Sequence, residues 1–138
     1  MSPGPMDATR GDPTGPAEPQ GGPIVTVNRN RRNLELLGEV LQREGFPTRP
    51  ASTLDELDEL IDHAERDEIR LVLLDVSGFD RAVWDRCERL RALTIPFLVL
   101  SPRQSAAIRL QGLERGARAV LAKPLVIREL LALVRNEA

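Results

Sequence analysis

Leu71-Val72-Leu73-Leu74-Asp75 is the stretch on which the reading of this chain turns. Four apolar residues with no polar alternation suit a strand whose sheet is covered by helices on both faces. The run then stops on a single acid. Three other runs have the same form and also end in a polar residue. Ile24-Val25-Thr26-Val27 runs into Asn28-Arg29-Asn30, Phe97-Leu98-Val99-Leu100 into Ser101, and Ala119-Val120-Leu121-Ala122 into Lys123-Pro124.

The segments between these runs carry helical periodicity. Leu34, Leu37, Val40 and Leu41 recur at helical spacing, and Gly45 follows as a C-terminal stop. Ser52-Thr53-Leu54-Asp55 reads as a helix start with capping residues. Its apolar stripe is Leu54, Leu57, Leu60, Ile61 and Ala64. Asp80 is placed to cap a third helix with Val83, Cys87 and Leu90 inward. A fourth runs over 106–115 and stops at Gly116. The last covers 125–136, with Ile127, Leu130, Leu131 and Val134 expected to face inward. Residues 46–51 form a weaker strand interrupted by Pro47 and Pro50, which places it at a sheet edge, because proline cannot donate to the ladder.

Alternating strands and helices with short connections predict an α/β fold, a doubly wound five-stranded parallel sheet made of five βα units. In such sheets function gathers at the carboxyl ends of the strands. The residues there are Asn28, Arg29, Asp75, Ser101 and Lys123.

Composition narrows the function classes. The chain has 138 residues, 41% hydrophobic and 29% charged, ordinary for one globular domain. Residues 1–23 hold six prolines and five glycines and read as a disordered tail, leaving 24–138 as the domain. No membrane span or secretory leader is predicted, and a cytoplasmic location is the default expectation. The single cysteine, Cys87, excludes an internal disulfide, and it lies on an apolar stripe as a packing residue. A formal net charge of −2 predicts no nucleic-acid partner. His63, the lone histidine, sits among acids as a surface residue, and Trp84 is expected to pack partly into the core. The eight acids between Asp55 and Glu68 predict a solvated helix face. Lys123 is the only lysine among 19 basic residues, so lysine rather than arginine at this strand end stands out. No Gly-rich phosphate loop or nucleophile–base pair is present, and no enzyme activity is expected.

Taken together, Leu73-Leu74-Asp75, Val99-Leu100-Ser101 and Gly116-Ala117 followed by Lys123-Pro124 resemble the receiver domain of response regulators, a flavodoxin-like module of two-component signalling. The resemblance covers 24–138 and implies the strand order 2-1-3-4-5. By position, it implies that Asp75 matches the phosphoacceptor. Ser101 and Lys123 match the hydroxyl and ammonium that contact the phosphoryl group, the Ser77 carbonyl matches a backbone metal ligand, and the Lys123–Pro124 bond is a candidate cis peptide. It also implies that the face made by the fourth helix, fifth strand and fifth helix is the usual partner-docking surface.

The chain departs from the family at the acid pair that holds Mg²⁺, where it has Asn28 and Arg29. Val120 replaces the usual switch aromatic, and Phe79 stands where a proline often occurs. One carboxylate with two nearby cations predicts lost Mg²⁺ binding, so no metal or other cofactor is expected. Two poses are open for Arg29: inward onto Asp75, or outward, leaving Asp75 to Lys123. The expected function is a stand-alone pseudo-receiver, without an appended output domain, acting through protein–protein contact without Mg²⁺-dependent phosphorylation. Its partner would be a histidine kinase or a downstream signalling protein, and the chain itself a monomer or weak homodimer. The alternative is a working receiver that a histidine kinase phosphorylates on Asp75. A small-ligand-binding flavodoxin-like domain is a third reading, without a positive signal.

Overall fold

The computed structural model of the protein describes residues 22–63 and 68–137. Among the described residues five strands alternate with five helices: β1 Ile24–Val27, α1 Arg31–Arg43, β2 Thr48–Ala51, α2 Leu54–Asp62, β3 Leu71–Asp75, α3 Ala82–Ala92, β4 Phe97–Ser101, α4 Ala106–Glu114, β5 Ala119–Ala122 and α5 Ile127–Glu137. The strands form one sheet in the order β2-β1-β3-β4-β5, and every pair is parallel. This is the predicted architecture, and β2 with its Pro50 lies at the edge.

Strand alternation divides the core in two. Val25, Val27, Val72, Leu74, Phe97 and Val99 pack beneath α2 and α3 with Leu57, Ile61, Val83, Cys87 and Leu90. Ile24, Leu71, Leu73, Leu98 and Leu100 pack beneath α1 and α5 with Leu41, Leu130, Leu131 and Val134. Covering both faces is what makes β3 and β4 read as unbroken apolar runs. Trp84 is partly buried against the first of these clusters.

The helix ends follow their local chemistry. The Asn30 side chain accepts the Asn33 amide at the start of α1, at 3.0 Å. At α2 the Thr53 hydroxyl accepts the Glu56 amide at 3.0 Å, while the Glu56 carboxylate accepts the Ser52 amide at 2.7 Å. That backbone bond is the main reason the Glu56 carboxyl is held below its ordinary range. Asp80 accepts the Ala82 amide at 2.9 Å, one residue further out than a cap directly before Ala82.

Some expectations are corrected. Ile127 is 40% exposed, because α5 begins there and its buried stripe starts one turn later, at Leu130. The acidic face of α2 is not simply solvated. Asp58 forms a two-point pair with Arg86 of α3, at 2.8 and 3.2 Å, and Asp62 pairs with Arg89. Arg115, after α4, pairs with Glu88 at 2.8 Å. Ordered bonding also begins before Ile24: the Gly22 amide donates to the Glu68 carbonyl at 3.0 Å, and the Pro23 carbonyl accepts the Arg70 amide at 3.0 Å. The rest of the proposed tail, residues 1–21, and Ala64 of the α2 stripe lie outside the described residues.

Helix α4 approaches the sheet closely at Gly112. A Cβ there would meet Val120 Cγ2 at 2.9 Å and Val99 Cγ2 at 3.5 Å. Alanine normally favours a helix over glycine by about 1 kcal/mol, but overpacking a filled core costs about 1–3 kcal/mol. Gly112→Ala is therefore expected to lower stability by roughly 1 kcal/mol in urea unfolding, and Val120→Ala in the same chain should remove the loss.

Candidate functional site

Parallel pairing in register brings the strand ends to one edge of the sheet. Val27 lies beside Leu74, so Asn28 follows beside Asp75. Asp75 lies beside Leu100, and Ser101 beside Ala122, so Lys123 comes next. Alternation then decides which of them meet. Asn28, Asp75 and Lys123 continue the face of Ile24, Leu73 and Leu121, toward α1 and α5. Ser101 continues the face of Phe97 and Val99.

Asp75 is 1% exposed, and its carboxylate is held by three donors. Asn28 Nδ2 donates to Oδ2 at 3.0 Å, the Ser77 amide donates to Oδ1 at 2.9 Å, and Lys123 Nζ lies 2.5 Å from Oδ2. A buried carboxylate needs such pairing, since an uncompensated one is costly. Asn28 suits this place because its amide works both ways: Oδ1 accepts the Asn30 amide at 2.8 Å while Nδ2 serves Asp75. An aspartate at 28 would keep the first bond and set a second negative charge against Asp75 in place of the other.

Arg29 takes the outward of the two poses left open for it, leaving Asp75 to Lys123, but it is bonded rather than free in solvent. It is exposed and does not pair with Asp75; its Nη1 donates to the Gly78 carbonyl at 2.5 Å, in the loop between β3 and α3. Ser101 is 1% exposed, and its hydroxyl donates to the Arg103 carbonyl at 2.5 Å rather than toward Asp75. The Lys123–Pro124 peptide is cis. Sequence reasoning assembled the strand ends but missed Gly78 as the partner of Arg29. The only available signal was a glycine in the loop after Asp75.

Two surface depressions flank this edge. One, of about 300 Å³, runs between α1 and α5 from Asp75 and Lys123 past Leu36, Leu37 and Ile127. The other, of about 200 Å³, lies between α4, β5 and α5, lined by Ser101, Arg103, Val120 and Glu129. Leu110 and Leu113 of α4 and Val126 before α5 are exposed apolar residues of those elements.

The remaining reactive side chains stand apart from the site. Cys87 is fully buried, and burial pushes its thiol up to about 12. The thiolate is the reactive form. Native protein at pH 8 is therefore expected to resist iodoacetamide, with rapid labelling only after unfolding; stoichiometric native labelling would contradict this. His63 Nδ1 lies 2.7 Å from the Glu59 carbonyl at the exposed end of α2. Among the described residues, no three His, Cys, Asp or Glu side chains gather as a metal cluster, and no helix is long and apolar enough to cross a membrane.

No protein-family model matches the sequence. Over 113 residues, 81% of this chain, the sequence is 36% identical to the transcriptional regulatory protein CpxR of Escherichia coli K12. It is 35% identical over the same length to CpxR of Klebsiella pneumoniae. The matches cover 47% of those proteins, so the chain spans about half the length of the curated relatives it matches. Among solved structures, a CheY-like response-regulator receiver domain protein from Methanospirillum hungatei aligns with a TM-score of 0.73 at 22% identity, covering 86% of this chain and 94% of that one. HP1043, an orphan response regulator of H. pylori, aligns with a TM-score of 0.70 at 22% identity, covering 86% and 98%. At these identities the structural likeness concerns the fold.

Proposed function

The chain belongs to the response-regulator receiver family, and on that premise we propose that it is an atypical member, a pseudo-receiver. It works in two-component-type signalling through protein–protein contact, without Mg²⁺-dependent phosphorylation. One observation carries this reading: the Asp75 carboxylate is already satisfied by Asn28, Ser77 and Lys123, and among the described residues no group of three metal-ligating side chains gathers around it.

The residues present do not fit Mg²⁺. That ion demands near-octahedral oxygen coordination and sheds its waters reluctantly, so it is usually held by one or two carboxylates plus phosphate oxygens. Here the neighbours of Asp75 are an amide and an ammonium. The next residue, Arg29, carries a guanidinium that would repel the ion. The pocket is balanced without metal: one buried negative charge meets one ammonium, and the amide donors complete the shell.

The proposed partner is a protein, either a histidine kinase or a downstream signalling protein. The proposed docking face comprises α4, β5 and α5, where Leu110, Leu113 and Val126 are exposed. The net charge of −2 speaks against direct nucleic-acid contact by this chain, and a cytoplasmic setting is part of the same proposal. The second reading, a working phosphoacceptor, draws on the Asp75–Lys123 pair and on Ser101 at the end of β4.

A backbone-amide NMR titration with MgCl₂, followed by beryllofluoride as a phosphoryl mimic, separates the two readings. The pseudo-receiver reading expects a dispersed spectrum that responds to neither addition. Mg²⁺-dependent shifts around Asp75, Ser101 and Lys123 would establish the phosphoacceptor instead.

A further inference from the structure

We propose that Arg29 and Gly78 form a clamp between the loop after β1 and the loop between β3 and α3, with Arg29 as the positioning residue for the second loop. Pairing between β1 and β3 ends at Val27 and Leu74. Beyond that point side chains must hold the two loops together, and two bonds do so: Asn28 to Asp75, and Arg29 to the Gly78 carbonyl.

The local chemistry of both partners favours this bond. Arg29 precedes α1, whose first turn contains no acid and begins with Arg31 and Arg32. A helix N-terminus carries partial positive charge and disfavours nearby cations. The guanidinium is therefore better placed away from the helix, against an acceptor. Its backbone is set on both sides, by the Asn28–Asn30 bond at 2.8 Å and by the Asn30 cap on Asn33 at 3.0 Å.

Gly78 is fitted to the same contact. The Val76 carbonyl accepts the Phe79 amide at 3.3 Å, closing a turn in which Gly78 is the third residue with φ +78°. That position of a type II turn requires positive φ and so favours glycine. A Cβ at 78 would also lie 3.2 Å from Arg29 Cδ and 3.8 Å from Nη1. The arginine stem thus lies over the space that any other residue would fill. The clamp is made without the Asp75 carboxylate, so it does not depend on the pseudo-receiver reading.

Amide hydrogen exchange on the full chain tests it. In Arg29→Ala, exchange at the Ser77 and Phe79 amides is expected to rise about tenfold, as for loss of a charge-assisted bond, with strand amides unchanged. Arg29→Lys, which keeps one donor, should restore part of the protection. Gly78→Ala should loosen the same amides, through strain at positive φ as well as by crowding Arg29. Wild-type rates at Ser77 and Phe79 in Arg29→Ala would overturn the clamp, as would an Arg29→Lys variant no better protected than Arg29→Ala. A beryllofluoride response in the wild-type protein would instead defeat the pseudo-receiver reading and leave the clamp standing.

Discussion

A double variant, Asn28→Asp with Arg29→Asp, is expected to exchange metal-free stability for Mg²⁺ binding. The buried Asp75 carboxylate now receives a hydrogen bond from Asn28 at 3.0 Å. An aspartate at 28 replaces that donor with a second negative charge, and an aspartate at 29 adds a third in place of a cation. Losing the donor and crowding the carboxylates should cost on the order of 3 kcal/mol without metal, because a buried charge stripped of its partner is expensive. The same three carboxylates make an oxygen-rich cluster of the kind Mg²⁺ accepts. At ten times its dissociation constant, Mg²⁺ would return about 1.4 kcal/mol. Urea unfolding followed by Trp84 fluorescence, with and without excess MgCl₂, checks both signs. The wild-type midpoint should be indifferent to Mg²⁺, and the double variant should be weaker but rescued by it. A double variant that stays weak in Mg²⁺ would mean that more than these two positions separates the site from a metal-binding one.

The second large effect is an asymmetry within the Asp75–Lys123 pair. Asp75 is 1% exposed, whereas the Lys123 side chain is 30% exposed. Lys123→Met leaves a buried carboxylate without the cationic partner it has among the described residues. Breaking a buried pair in this way costs about 3–5 kcal/mol, and the lower end applies because water reaches the lysine side. Asp75→Asn leaves a lysine that can turn its ammonium to water, so the expected cost is at most about 1 kcal/mol. The double variant should recover most of the Lys123→Met loss, giving a coupling energy of about 2 kcal/mol in a double-mutant cycle. Equal losses from the two single substitutions would show that the pair is solvated on both sides and that Asp75 is not the buried centre of the site. The Asp75–Lys123 asymmetry depends on the donors around Asp75 and not on phosphorylation, so it holds under either functional reading; the indifference of the wild-type midpoint to Mg²⁺ belongs to the pseudo-receiver reading alone.

Much of the architecture was legible in the sequence because it depends on local pattern. The unbroken run 71–74 shows a strand covered on both faces, and Pro47 and Pro50 mark an edge strand. Both are properties of a residue and its immediate neighbours. Strand order followed from the family resemblance, and the strand ends Asn28, Asp75, Ser101 and Lys123 then fell on one edge through the parallel register.

Where local pattern ran out, the sequence misled. Ile127 fits the periodicity of its helix, yet it sits at the first residue of α5, before the packed stripe begins. The acids of α2 look like a solvated face in isolation, and only the arrival of α3 supplies Arg86 and Arg89. The sequence by itself determined which elements form, where the strands end and which chemical groups stand there. The tertiary structure alone decided which groups meet. Asn28 and Lys123 reach Asp75, Ser101 turns to the Arg103 carbonyl, and Arg29 crosses to Gly78, 49 residues away. The reason is physical: a side chain's direction depends on strand parity, on helix-end electrostatics and on which acceptors another part of the chain brings within about 3 Å, and spacing along one segment encodes none of these distances.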